Sequence, residues 1–175
     1  EPLPPLQPKV EETFATPYAI KVMDQDKTLL VTAAASDKVF TVDIATGQIL
    51  HQIKVGAGPR GIVLEKDKHP KAWTYNAFEN SLSILDLSNI KNIKLKNSIQ
   101  LEDPTDPTVK KGRIQFNSAL VSTTGTFACA SCHPDGHTDQ LLWILETPKL
   151  AGGNQIPPRL TTPVRGLRDT EPFHW

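Results

Sequence analysis

The sequence predicts a mainly β protein with a small α contribution: two β-propeller-type blades, then a loop-rich segment with short helices. Three observations predict it. Short runs of apolar and β-branched residues recur at an offset of about 43 residues, within the range that marks propeller blades. Helical periodicity is poor throughout that repeat. At Asp103-Pro104-Thr105-Asp106-Pro107 the composition shifts, the repeat stops, and the chain's two cysteines follow at Cys129 and Cys132. The 15 prolines among 175 residues favour turns over long helices.

Taken in order, residues 1–13 are Pro-rich and charged and read as an arm. Leu29-Leu30-Val31-Thr32 and Lys38-Val39-Phe40-Thr41-Val42-Asp43 read as strands, Asp43-Ile44-Ala45-Thr46-Gly47 as a turn, and Gln52-Ile53-Lys54-Val55 as an alternating strand. The same order then repeats. Thr16-Pro17-Tyr18-Ala19-Ile20 returns as Gly58-Pro59-Arg60-Gly61-Ile62, and Leu30-Val31-Thr32-Ala33 aligns with Trp73-Thr74-Tyr75-Asn76. Val39-Phe40-Thr41-Val42-Asp43 aligns with Leu82-Ser83-Ile84-Leu85-Asp86, and Ile53-Lys54-Val55 with Ile99-Gln100-Leu101, the extra spacing falling in the polar loop 89–97. Residues 14–103 are therefore expected to form two blades. A ring needs at least about four, so the expectation is a fragment, or a chain whose open sheet faces another chain covers.

Beyond the blades, residues 104–175 are expected to form a c-type haem domain, a small cytochrome taken as incomplete, for the reasons that follow. Within it Lys110–Asn117 and Asp139–Glu146 are expected as short helices, the second placing Leu141, Leu142 and Ile144 on an apolar face, and the tail from Ala151 as ordered loop. Lys plus Arg (19) balances Asp plus Glu (19), so neither a basic nucleic-acid footprint nor a polybasic membrane anchor is visible. No apolar run approaches the roughly 18 residues of a membrane span. Glu1-Pro2-Leu3-Pro4-Pro5 lacks the charged-then-apolar pattern of a signal peptide, so we expect a processed terminus or a fragment boundary.

The chemistry lies in Cys129-Ala130-Ser131-Cys132-His133. Covalent haem c needs two thiols that reach both vinyl groups of one porphyrin and an imidazole next to the second thiol, aimed at the iron. Small Ala130 and Ser131 leave the macrocycle unobstructed. A redox dithiol would want a thioredoxin-like setting, zinc through Cys129, Cys132 and His137 lacks a fourth ligand, and a plain disulfide suits an oxidising compartment; haem is the favoured reading. His133 is then the proximal ligand. For the opposite side, the chain's one methionine, Met23, lies in the first blade and His137 is too near His133; His174 is the favoured donor, with a five-coordinate iron or a ligand from outside this sequence as the open alternatives. Arg159, Arg165 and Arg168 are candidates for the propionates, the last two foremost. Phe116 and Trp143, with Phe127, Leu142 and Trp175, are candidates for the apolar haem wall.

Two resemblances follow from these residues. The repeat over about residues 14–102 resembles the YVTN family of propeller blades, with Trp73-Thr74-Tyr75-Asn76 at the position of its tetrapeptide and Leu30-Val31-Thr32-Ala33 as a looser copy. From about residue 111 the chain resembles the first half of the di-haem cytochrome c peroxidase and MauG-like superfamily. Gly112, Phe116 and Asn117 carry that likeness, with Cys129 to Gly136 (Cys-x-x-Cys-His-Pro-Asp-Gly) and the run Thr162–Trp175 ending Pro-Phe-His-Trp. The resemblance implies an extracytoplasmic, periplasm-type location, covalent haem, and redox chemistry with peroxide or a partner protein. The chain departs from it in lacking a second Cys-x-x-Cys-His, and His137 and Gln140 stand where Arg and Gly are usual.

Two functions follow as expectations. One is an extracytoplasmic module carrying electrons through a single covalent haem, attached to propeller blades. The other is part of a di-haem peroxidase or MauG-like oxidoreductase whose second haem lies outside this chain. The expected partner is a redox protein, or a further subunit or domain that completes the propeller and supplies the second haem. A third idea, blades that bind a ligand with haem as relay, rests on no catalytic or metal-ligand cluster in the blades.

Overall fold

The computed structural model describes residues 9–23, 27–65, 68, 70–143 and 158–167. Eight strands form two four-stranded antiparallel sheets, each in simple sequential order. The first sheet comprises β1 (Pro17–Met23), β2 (Thr28–Ala33), β3 (Lys38–Asp43) and β4 (Ile49–Lys54); the second β5 (Pro59–Glu65), β6 (Lys71–Asn76), β7 (Ser81–Asp86) and β8 (Lys94–Gln100). These are meanders of the propeller-blade type, and their starts keep the offset read from the sequence.

The repeat extends to the turns. Between β2 and β3 the chain reverses through Ala34–Asp37, and between β6 and β7 through Ala77–Asn80. Each turn ends in a residue of left-handed backbone, Asp37 (φ 54°) and Asn80 (φ 58°). Asp and Asn enter that region at low cost, which is why these types stand there. The predicted turn after β3 also forms: Asp43 Oδ1 accepts the Thr46 N–H and Thr46 hydroxyl, both at 2.8 Å.

The two sheets share one core. Leu30, Val39 and Val55 of the first meet Ile62, Ala72, Leu85, Leu87 and Ile93 of the second. Each such side chain contributes roughly 1.5–3 kcal/mol through removal from water. The far face of the first sheet is partly covered by the chain's own strap. Phe14 stacks on Phe40 with ring centroids 4.3 Å apart, and buried Lys38 donates from Nζ to the carbonyls of Glu11 and Thr13. Burial pushes the Lys38 pKa down.

The Asp/Pro stretch after β8 builds a helix, α1 (Pro107–Asn117). Pro107 opens it, and Asp106 Oδ1 caps it by accepting the N–H groups of Thr108 and Val109. No α1 residue is buried, so polar contacts hold it. Arg113 donates from Nε to the Phe78 carbonyl (3.1 Å) and from Nη2 to Asp103 (2.9 Å), and Lys110 pairs with Asp103 at 3.3 Å. The chain then reaches the turn of the first sheet, where the Ala119 N–H donates to the Ala35 carbonyl at 2.8 Å.

Here the expected fold class is corrected. The blades are as expected, but no cytochrome domain follows them among the described residues. The chain divides into two compact units between Ala128 and Cys129, so α1 and the loop after it belong with the blades. The described part of the second unit is α2 (Cys129–Cys132), a 3-10 turn (Pro134–Gly136), and a two-stranded ladder of β9 (Leu142–Trp143) and β10 (Arg159–Leu160). The helix expected from Asp139 is replaced by β9, because the Asp139 side chain turns the backbone and the next residues find a ladder partner. Residues 144–157 lie outside the described residues. No described helix is long and apolar enough to cross a membrane.

Candidate functional site

The second unit is organised around the cysteine motif. Cys129, Ala130, Ser131 and Cys132 form a single helical turn, and the His133 N–H donates to the Cys129 carbonyl at 3.0 Å. Both thiols are free, Cys129 exposed and Cys132 half-buried. Burial, then the nearby charges of Asp139 and Cys129, push the Cys132 thiol pKa up. His133 Nδ1 lies 3.3 Å from the His137 carbonyl. With its proton on Nδ1 the imidazole donates there and keeps the Nε2 lone pair for a metal, the arrangement that orients ligating histidines.

The loop after His133 is sharply folded. Asp135 and Gly136 both have left-handed backbone, at φ 53° and 75°. At Gly136 the conformation is strained for other residues, and an added Cβ would sit 3.2 Å from Arg165 Cγ, a tight contact. Arg165 packs there and donates from Nε to the Asp135 carbonyl at 2.8 Å, while the Val164 N–H donates to the Gly136 carbonyl. On the other side the Asp139 N–H returns to the Cys132 carbonyl at 3.1 Å. Asp139 also accepts the Leu141 N–H and the Trp143 indole N–H, each at 2.9 Å. The Thr138 hydroxyl ties the loop to the Thr161 carbonyl at 2.7 Å.

Of the residues named from sequence, Cys129, Cys132, His133, Trp143 and Arg165 thus come together, Trp143 through Asp139 and Arg165 through the Asp135 carbonyl. Phe116 sits half-buried on α1 in the first unit, and Phe127 is exposed there. Arg159 pairs with Trp143 across the ladder. Arg168, His174 and Trp175 lie outside the described residues. Sequence reasoning missed Asp139, the residue that joins the thiol turn to Trp143; an Asp two positions before an apolar pair is the available signal for such a turn. Leu141, Leu142 and Leu160, all in this unit, are largely exposed. Among the described residues no three His, Cys, Asp or Glu side chains converge on a common metal position.

No protein-family model matches the chain. Over 60 residues it is 38% identical to the hydrazine synthase subunit gamma of Kuenenia stuttgartiensis, a match spanning 29% of this chain and 17% of that one. The chain therefore covers a small part of the length of that curated relative. Among solved structures it is similar to Kuenenia stuttgartiensis hydrazine synthase, with a TM-score of 0.44 and 21% identity over 51% of this chain and 24% of that one. It is also similar to a β-propeller domain from Myceliophteria thermophila, with a TM-score of 0.41 and 15% identity over 54% of this chain and 30% of that one. The periplasmic gluconolactonase of Pseudomonas aeruginosa gives a TM-score of 0.41 and 20% identity over 51% of this chain and 27% of that one. The propeller-type assignment rests on the two sheets themselves.

Proposed function

We propose that Cys129, Cys132 and His133 hold one covalent haem c and that the chain carries electrons through it as an extracytoplasmic module attached to propeller-type blades. One observation carries the reading: both free thiols share a single helical turn followed directly by the imidazole, whose Nδ1 lies 3.3 Å from the His137 carbonyl. The residues fit the group. Each thiol can add its S–H across a vinyl group to give a thioether, and His133 Nε2 is free to ligate iron. When bound, haem supplies one-electron redox chemistry.

The chain's own residues do the rest. The Cys129 carbonyl and the His137 carbonyl fix His133 from both ends, Asp139 holds Trp143 near the thiol turn, and Arg165 offers a cation beside the motif loop. The exposed leucines of this unit supply apolar surface for a macrocycle, which lowers the local dielectric and with it sets the potential. In the same reading Arg168 would be a further partner for the haem carboxylates and His174 a further donor to the iron.

A second reading makes this site one half of a di-haem peroxidase or MauG-like oxidoreductase whose other haem lies outside the chain; the Cys-His-Pro-Asp-Gly run favours it. The relative matched over 60 residues is one subunit of hydrazine synthase, which supports a chain that works in an assembly with a redox partner or a further subunit.

Export of the chain in a host with haem-attachment machinery tests the reading. The intact mass should rise by about 616 Da for one covalent haem, and Cys129→Ala with Cys132→Ala should abolish that gain. A low-spin spectrum indifferent to peroxide supports electron transfer; a high-spin ferric band that shifts with peroxide supports the oxidoreductase. Colourless protein with thiols free or joined to each other would end both.

A further inference from the structure

Arg60 is a cation that the blades orient and leave unpaired. In the repeat it holds the place that Tyr18 holds in the first blade. Each follows a left-handed residue and a proline, Thr16 (φ 55°) with Pro17 and Gly58 (φ 71°) with Pro59. Each first strand also takes in one extra residue there, between Pro17 and Ile20 in β1 and between Pro59 and Gly61 in β5. Such a bulge takes a residue out of the ladder and re-aims its side chain. The two strands are neighbours, so the re-aimed side chains meet. The Arg60 guanidinium carbon lies 5.1 Å from the centre of the Tyr18 ring and 4.6 Å from that of Phe78. Ring faces attract the charge but supply none of the oxygen acceptors that its N–H groups would take. Among the described residues Arg60 enters no hydrogen bond and none of the ion pairs, which join Lys71 to Glu65 and Lys110 and Arg113 to Asp103. The carboxylates of the blade junction, Asp37 and Glu79, accept the N–H groups of Gly58 and Ala57 instead. Arg60 Nε is shut off from water without a partner, whereas the Nη amines stay accessible.

We infer that Arg60 is the binding site for a small monocarboxylate, held end-on by the two Nη amines with its apolar body along the exposed Tyr18 ring. Three points select this ligand. With Nε closed, the fork presents its Nη pair, whose parallel N–H bonds match the two oxygens of one carboxylate. One cation balances one negative charge; a phosphate would bring a second beside ring faces that are themselves negative. Tyr18, 55% exposed, offers open ring surface and a hydroxyl that no described residue engages. The site stands apart from the cysteine motif and does not rest on the haem reading.

Titration of the full chain with sodium benzoate, followed by the arginine side-chain N–H resonances, tests it, with sodium chloride holding ionic strength constant. Arg60 Nε–H, shut off from water, exchanges slowly enough to be seen, and its resonance is identified by its loss in Arg60→Lys. The expected result is a saturable shift of that resonance in the millimolar range. The melting temperature should rise in step, because benzoate binds the folded chain alone. Sodium phosphate should act several-fold more weakly. Arg60→Lys keeps the charge but not the fork, and should lose most of the benzoate-dependent rise. Tyr18→Leu, at an exposed position, should keep the resonance and weaken the binding several-fold. Absence of a shift, a shift that does not saturate, or one that phosphate reproduces at equal concentration would overturn the inference. So would a benzoate-dependent rise in melting temperature that is unchanged in Arg60→Lys, since the ligand would then sit elsewhere.

Discussion

Gly58 shows how single residues hold the blade junction. It has left-handed backbone (φ 71°), and a Cβ built there would lie 2.2 Å from the Phe78 ring. Its N–H donates to Asp37 Oδ1 at 3.0 Å and its carbonyl accepts the Ala77 N–H at 2.8 Å, so the peptide cannot rotate away. Phe78 in turn packs under the Arg60 guanidinium, 4.6 Å from the ring centre. Gly58→Ala should therefore destabilise the protein by about 2–4 kcal/mol in urea unfolding, combining strain with displacement of a packed ring. Gly47→Ala, also at positive φ but with open space around it, should cost only about 1 kcal/mol. Equal losses would mean that backbone strain alone matters at Gly58. At this scale the sequence was informative where chemistry is local. Cys129, Cys132 and His133 were legible because spacing along one turn dictates their geometry. The sequence offers Arg165 as a cation for a carboxylate; the structure adds that its Nε donates to the Asp135 carbonyl, a partner that has no side-chain signature.

Elements were legible in proportion to their repetition. The strands and turns of both blades can be placed because each pattern occurs twice, whereas α1 is expected only from Lys110 and opens three residues earlier, because Asp106 and Pro107, which read as turn residues, serve as its cap and first residue. The helix expected from Asp139 failed because a short apolar run fits helix and strand equally, and a partner strand from residue 159 onward decides between them. The docking of α1 was invisible, since it depends on Asp103, which reads in sequence as a turn residue. Hydrogen bonds from the Thr105 side chain and N–H, then the contacts of Lys110 and Arg113, hold the Asp103 pKa well below the usual carboxylate range. A depressed carboxylate contributes stability that is fully present above its unfolded value of about 4 and is lost as pH falls toward the folded one. Cooling of the melting temperature between pH 7 and pH 3 should thus be larger in the natural chain than in Asp103→Asn, and that variant should already be less stable at pH 7. Parallel pH profiles for the two proteins would show that α1 is held by something else.

At the scale of the blade pair, the shared core implies that the two sheets stand or fall together. Leu85 is wholly buried in the second sheet and belongs to the same cluster as Leu30 and Val39 of the first. The sheets also meet through their first strands, β1 and β5, so neither can lose its inner face without uncovering the other. An isolated sheet of this size with one exposed apolar face is marginal in water. Leu85→Ala removes buried methyl groups and leaves a cavity, which costs about 2–5 kcal/mol. If the core is common property, that loss must appear in both blades. Native-state hydrogen exchange should show the slowest amides of β2 and β3 accelerating by the same factor as those of β6 and β7, and urea unfolding should remain a single transition shifted to lower concentration. Acceleration confined to β6 and β7 would make each blade an independent folding unit, in which case the face shared by Leu30, Val39 and Leu85 would be a contact surface between finished sheets rather than the core that forms them.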